Sequence, residues 1–233
     1  MKTLIAFLAI FATAPSNAAI EGISIPNAHV VTSTDQSAVL RGRAPKNTAE
    51  MNELINAGVT EFLIFKNDTK GEVAKEQAQL LKLGIQPQNI THIPFLWKDI
   101  KDFKAACAMT IQALQVIENA TQAGRNIYFH CTVGEDRTGY LAGLWGIWTS
   151  IYDSETHALN EEMCPRGYEA GNPGKPYQNV VSKIRETLTP TYLKMANILA
   201  SAKARGEALD ISMCDQEPKV KVVPSVHYCS SGK

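Results

Sequence analysis

The sequence predicts an α/β protein, a three-layer sandwich in which helices flank a mainly parallel central sheet. Three observations lead there. Short apolar runs of strand length, at 61–65, 90–94 and 126–130, are separated by longer stretches whose apolar residues recur at helical spacing, at 72–83 and 102–120. Strands that alternate with helices are joined by helical crossovers, which pair them in parallel. Of the 233 residues, 45% are hydrophobic and 20% charged, enough apolar material for one sizeable core.

The elements follow in order. Lys2, the apolar run 4–14 and the small residues Ser16 and Ala18 describe a secretory signal peptide, 1–18, cleaved after Ala18 or next after Ala19. That leader predicts a secreted or periplasmic protein with a single domain, 19–233, and no membrane span in the mature chain. Residues 20–40 show no clear pattern beyond a short strand near Val30. Residues 48–57 read as a helix with Met51, Leu54 and Ile55 on one face, capped by Gly58 before the strand 61–65. A polar turn leads to a helix over 72–83, ended by Gly84, and a strand over 90–94. The helix 102–120 carries a stripe of Phe103, Ala106, Cys107, Ile111, Leu114 and Ile117, with Thr110 its polar member. After the strand 126–130, a tight loop leads into a helix at 140–151. Residues 163–178 hold three Gly and three Pro and read as a loop. Helices return over 179–205, and 206–233 is expected to wrap the surface as a tail.

Lys+Arg and Asp+Glu both number 23, so nothing in the charge points to nucleic acid. Export gives the five cysteines an oxidising setting, and an odd count leaves at least one unpaired. With Cys131 free, the other four form up to two bridges. The reading pairs Cys214 with Cys229 and leaves Cys107 packed in its helix.

The chemistry concentrates at His130-Cys131-Thr132-Val133-Gly134-Glu135-Asp136-Arg137-Thr138-Gly139. The segment lies between a buried strand and a helix, where open α/β folds bind ligands. A loop curling into a helix start aims the backbone N–H groups of 132–137 at one point, a seat for a phosphate-sized anion. Gly134 lets the backbone come close. The spacing of Cys131 and Arg137 puts the thiol at the floor and a guanidinium at the rim, where its planar fork matches two phosphate oxygens. The same field lowers the thiol pKa and makes Cys131 a nucleophile. The Thr138 hydroxyl is placed to hydrogen-bond the sulfur.

These residues resemble the signature of the cysteine-based protein tyrosine and dual-specificity phosphatase superfamily: His, Cys, five residues, Arg, then Thr or Ser. His130, Cys131, Gly134, Arg137, Thr138 and Gly139 match its common pattern. Upstream, Arg41-Gly42-Arg43-Ala44-Pro45, a helix, Gly58 and the strand 61–65 are similar to the smaller members, so the resemblance covers about 38–205. It implies a metal-independent phosphomonoester hydrolase with a cysteinyl-phosphate intermediate and no cofactor. His130 and Gly139 would be structural. It also places an Asp general acid in the loop before the helix that precedes the signature strand. Two residues fit, Asp99 in the loop proper and Asp102, which is equally suited to cap the helix. Trp97 is a lid or a core residue.

Other polar residues carry weaker readings. Glu135 and Asp136 are unexpected beside an anion, and Asp136 would bind Arg43 or another basic residue. Arg166 and Lys175 either contact further phosphates or are solvated, the second being the expectation. His29, His92, His157 and His227 lack metal-ligand spacing and are expected to be structural, so no metal is expected.

The signal peptide, the size and the spacing from His92-Ile93 to Asp99 are most similar to secreted bacterial protein-tyrosine-phosphatase-like phytases, which implies inositol polyphosphate as substrate. The alternatives are a phosphopeptide, a phosphoinositide, or phosphate binding without turnover.

Overall fold

The computed structural model describes residues 23–171 and 177–229. The expected leader 1–18 lies outside them, as do residues 172–176 of the Gly/Pro segment, Lys175 among them.

Strands β1 (His29–Ser33), β2 (Ala38–Arg43), β3 (Val59–Ile64), β4 (Ile90–His92) and β5 (Asn126–Cys131) form one sheet in the order β1-β2-β5-β3-β4. Only the β1–β2 pair is antiparallel; β2–β5, β5–β3 and β3–β4 run parallel. The expected α/β sandwich is therefore the observed one, and the site-bearing strand β5 lies at its centre.

The helices are α1 (Thr48–Asn56), α2 (Glu72–Lys82), α3 (Phe103–Gln122), α4 (Asp136–Trp148), α5 (Glu155–Ala158), α6 (Tyr177–Lys183), α7 (Thr189–Ala204) and α8 (Pro224–His227). Side chains of β2, β3 and β5 alternate between two cores, as a sheet with both faces covered requires. Leu40, Phe62 and Tyr128 face Met51 and Leu54 of α1 and Leu80 of α2. Val39, Leu63, Ile127 and Phe129 face the larger core built by α3, α4 and α7. Helix α4 runs through that core with Tyr140, Leu141, Leu144 and Trp145 buried on every side, so its sequence is apolar all round rather than striped.

The structure differs from the sequence reading in four places. Strand β2 replaces the end of an irregular lead-in. Its Arg41 and Arg43 hid it, since a buried strand ordinarily carries no charge, yet both are buried. Helix α4 starts at Asp136, not 140, so Arg137, Thr138 and Gly139 lie in its first turn. The 163–178 segment is largely helical at its ends, with a 3-10 turn at Cys164–Arg166 and α6 from Tyr177.

The fourth difference is the disulfide map. Cys107 pairs with Cys214 and Cys164 with Cys229. The expected Cys214–Cys229 pair does not form, and Cys107 is not merely packed. Cys107 lies on the buried stripe of α3 and Cys214 in the 3-10 turn Ile211–Asp215 laid across it, which brings their Cα atoms to 5.7 Å, inside the range a disulfide spans. Part of the tail is thus a docked element rather than a surface wrap, and Leu209 and Cys214 are buried.

Candidate active site

Strand β5 ends at Cys131, whose neighbours in the sheet are Arg43 on β2 and, one residue earlier, Ile64 on β3 opposite His130. The chain then turns through 132–135 into α4. Gly134 makes that turn with φ +77° and lies against β2. A Cβ there would meet the Gly42 carbonyl carbon and the Arg43 nitrogen at 2.5 Å. Both the backbone angle and the space exclude a side chain. Gly134→Ala is expected to destabilise the protein by at least about 2 kcal/mol and to weaken phosphate binding, checked by urea denaturation and calorimetric titration.

Cys131 is unpaired and 1% exposed. Burial pushes its thiol up. The Arg137 guanidinium, the Thr138 hydroxyl and the Thr138 and Gly134 backbone N–H groups outweigh burial and bring it down to about 6. Thr138 Oγ1 also accepts the Cys131 N–H at 2.8 Å. Arg137 reaches back across the loop, and its Nη2 donates to Thr132 Oγ1 at 3.1 Å. His130 is fully buried. Its Nδ1 lies 3.0 Å from the Cys131 carbonyl and its Nε2 2.7 Å from Glu76 Oε1, so the ring is held from both ends beneath the loop. Glu76, buried on α2 and also 3.4 Å from Lys66, is held below the usual carboxylate range by these two partners against the effect of burial. Sequence reasoning missed Glu76. Its signal was a charge on the apolar stripe of α2, between Val73 and Leu80.

A cavity of about 390 Å³ opens over the thiol. The loop contributes Cys131, Thr132, Val133, Asp136 and Arg137 to it, and the β4–α3 connection contributes Leu96, Trp97, Lys98 and Asp99. Asn67 and Thr69 from the β3–α2 connection and Glu72 at the start of α2 also line it. All these groups sit beyond the carboxyl ends of parallel strands, where α/β sheets leave a crevice. Asp99 lines the cavity on a solvent-exposed side chain, 3.5 Å from Lys101. Asp102 lies outside that lining and caps α3, accepting the Lys104 N–H at 2.9 Å. Trp97 is 7% exposed and lines the cavity, so it is a core residue and a wall residue at once.

Glu135 is half-buried and Asp136 buried beside the thiolate, and desolvation followed by the Cys131 charge pushes each up to about 7. The expected Asp136–Arg43 ion pair is absent. Arg43 turns away to Glu50 at 2.9 Å, and Asp136 instead accepts the Glu169 backbone N–H at 3.1 Å. Glu169 in turn receives Arg185 at 2.8 Å and the Cys229 N–H at 3.1 Å, which ties the loop to the segment clamped by Cys164–Cys229. Arg166 is not solvated as expected but half-buried on Glu162 at 3.3 Å. The histidines have local partners: His29 faces Glu162, His92 the Lys66 carbonyl, His157 Asp153, and His227 accepts the Val223 N–H.

No family model and no curated protein matches this sequence. Solved structures do match. PTPMT1 superposes with a TM-score of 0.50 at 13% identity, over 76% of this chain and 99% of that one. The chain shares the fold of PTPMT1. Two others are TpbA of P. aeruginosa, with 20% identity, a TM-score of 0.49 and coverage of 77% and 91%, and Tk-PTP, with 17%, 0.47 and coverage of 76% and 97%. At these identities the likeness is one of architecture, and the chemistry rests on the residues around Cys131.

Proposed function

We propose that this chain is a cysteine-dependent phosphomonoester hydrolase. The observation that carries the reading is a single cavity lined by a lowered thiol, Cys131, a guanidinium, Arg137, and a carboxyl group, Asp99. In the first step the Cys131 thiolate attacks phosphorus, the P–O bond to the substrate breaks, and Asp99 gives its proton to the departing oxygen. In the second, water attacks the phosphocysteine, Asp99 takes the water proton, and the S–P bond breaks to return the thiolate and free phosphate. Loop N–H groups and Arg137 hold the three equatorial oxygens throughout.

Asp99→Asn is expected to lower kcat on alkyl phosphates by about 10²–10³-fold, and on an aryl phosphate with a good leaving group far less. Asp102→Asn, which keeps the cap, is expected to leave both rates within about twofold. The reverse pattern in steady-state kinetics would move the acid to Asp102.

For the substrate, the reading is an inositol polyphosphate. A second cavity of about 350 Å³ shares Thr132 and Glu72 with the first and is lined by Lys46, Lys66 and Lys75. A substrate with one phosphate over Cys131 would bring a neighbouring phosphate towards the exposed Lys46 and Lys75, Lys66 being buried on Glu76. The competing phosphopeptide reading draws on the apolar wall of Leu96, Trp97, Val133 and Val180. Two disulfides favour an oxidising compartment, in keeping with a secreted or periplasmic protein, and among the described residues no helix is long and apolar enough to cross a membrane.

The deciding experiment measures phosphate release in the presence of a chelator from inositol hexakisphosphate, a phosphotyrosine peptide and an aryl phosphate. Release mainly from the inositol substrate supports the reading. Release mainly from the peptide replaces the substrate but keeps the mechanism, and no release from any of them defeats the hydrolase reading.

A further inference from the structure

Behind the phosphate loop lies a buried charge cluster that the chemistry above does not use. Arg41 on β2 is 0% exposed. Its Nη1 donates to Glu162 Oε1 at 2.8 Å, and its Nη2 donates to the carbonyl oxygen of Gly134 in the loop. Glu162 is also faced by His29 at 3.1 Å and Arg166 at 3.3 Å. Asn27 Nδ2 reaches the same Gly134 carbonyl at 3.4 Å and the Arg166 carbonyl at 3.0 Å.

Burying a guanidinium carries a desolvation penalty that its partners need not fully repay, and an apolar side chain of similar volume would pack without that penalty. A charge kept at this position therefore asks for a role beyond filling space. The loop backbone supplies one. In a trans peptide the C=O of one residue and the N–H of the next point in opposite directions. With the Gly134 carbonyl drawn back towards Arg41, the Glu135 N–H is turned forward to the concave side where an anion sits. The flipped peptide would present a carbonyl oxygen to phosphate instead, replacing an attraction by a repulsion.

We infer that Arg41, braced by Glu162, is a positioning residue that holds the Gly134–Glu135 peptide in its anion-binding orientation. The inference rests on the phosphatase reading for what the anion is, but its own content is the loop's affinity for phosphate. Arg41 does not line the reactive cavity. Its absence should cost oxyanion binding rather than the rate of proton transfer, so KM is expected to rise more than kcat falls.

The experiment is direct calorimetric titration of the full chain with inorganic phosphate, without turnover, on wild type, Arg41→Met, Arg41→Lys and Glu162→Gln, with thermal melting alongside. Arg41→Met is expected to bind phosphate at least tenfold more weakly. Lysine, with one point of donation, should recover part of the loss, and Glu162→Gln should lose about threefold while still melting cooperatively. If Arg41→Met does not fold, Glu162→Gln decides. Folded variants that bind phosphate within twofold of wild type would overturn the positioning role and leave the hydrolase reading standing. A wild-type chain that binds no phosphate would overturn both.

Discussion

Cys131→Ser is expected to abolish phosphate release by at least about 10⁴-fold while inorganic phosphate still binds. The scale follows from removing the nucleophile, after which only binding and electrostatic stabilisation remain. A serine hydroxyl does not ionise near neutrality, so the lowered pKa of about 6 at this position is lost with the sulfur. Retained binding follows because the loop N–H groups and Arg137 make the anion seat, and the thiolate's charge opposes a second anion there. The wild-type pH profile should show the same group. Since the thiolate is the active form, kcat/KM and the rate of alkylation by iodoacetamide both rise as pH climbs through about 6. Above about 7 the profile turns down, because Glu135 and Asp136, held near 7 by burial and then by the thiolate, become anions beside a phosphate. Glu135→Gln should raise the alkaline limb. A Cys131→Ser chain with undiminished turnover would place the nucleophile elsewhere.

The parts of this site that the sequence made legible are those encoded within a few residues of one another. A Cys and an Arg at the two ends of a strand-loop-helix turn, with Gly134 between them, need only local backbone geometry to converge. Asp102 ahead of Phe103 likewise announces a cap, and the structure places it as one. What the sequence left obscure are choices made by distant chain. Arg41 and Arg43 masked strand β2 because their partners, Glu162 and Glu50, lie in other elements, and without those partners a charged strand looks like a loop. Glu76 is one charge on an amphipathic helix until β5 sets His130 against it. Asp136 beside a loop Arg invited a basic partner, but α4 begins at that residue and turns its carboxylate towards the Glu169 N–H. The disulfides failed for the same reason. Pairing Cys214 with its near neighbour Cys229 is favoured by proximity along the chain, whereas the actual partners are set by which core surface each segment covers.

Those pairings carry the second large effect. Removing Cys107–Cys214 by the double substitution Cys107→Ala/Cys214→Ala is expected to cost about 5 kcal/mol, because the bridge closes a sequence separation of 107 residues and the entropy it removes from the unfolded chain grows with that length. Against a usual net stability of about 5–15 kcal/mol, this is a large share of the total. The figure is a ceiling to the extent that 209–215 stays docked without the bond. Gln115 still donates to the Leu209 carbonyl at 2.8 Å and Lys104 still meets Asp215 at 2.7 Å, but the latter pair is exposed and contributes little. Removing Cys164–Cys229, with a separation of 65 residues, should cost about 4 kcal/mol on the same account. The two differ in what they do to catalysis. Neither Cys107 nor Cys214 lines the reactive cavity, so at temperatures where the first variant is folded its kcat/KM should match wild type. The second bridge holds Cys229 against Glu169, whose backbone N–H binds Asp136, so its loss should also lower kcat/KM. Urea midpoints and initial rates on both double variants separate the two cases. Equal catalytic losses would mean that the segment 164–171 does not steady the loop, and no shift in either midpoint would mean that the tail contributes nothing to the stability of the fold.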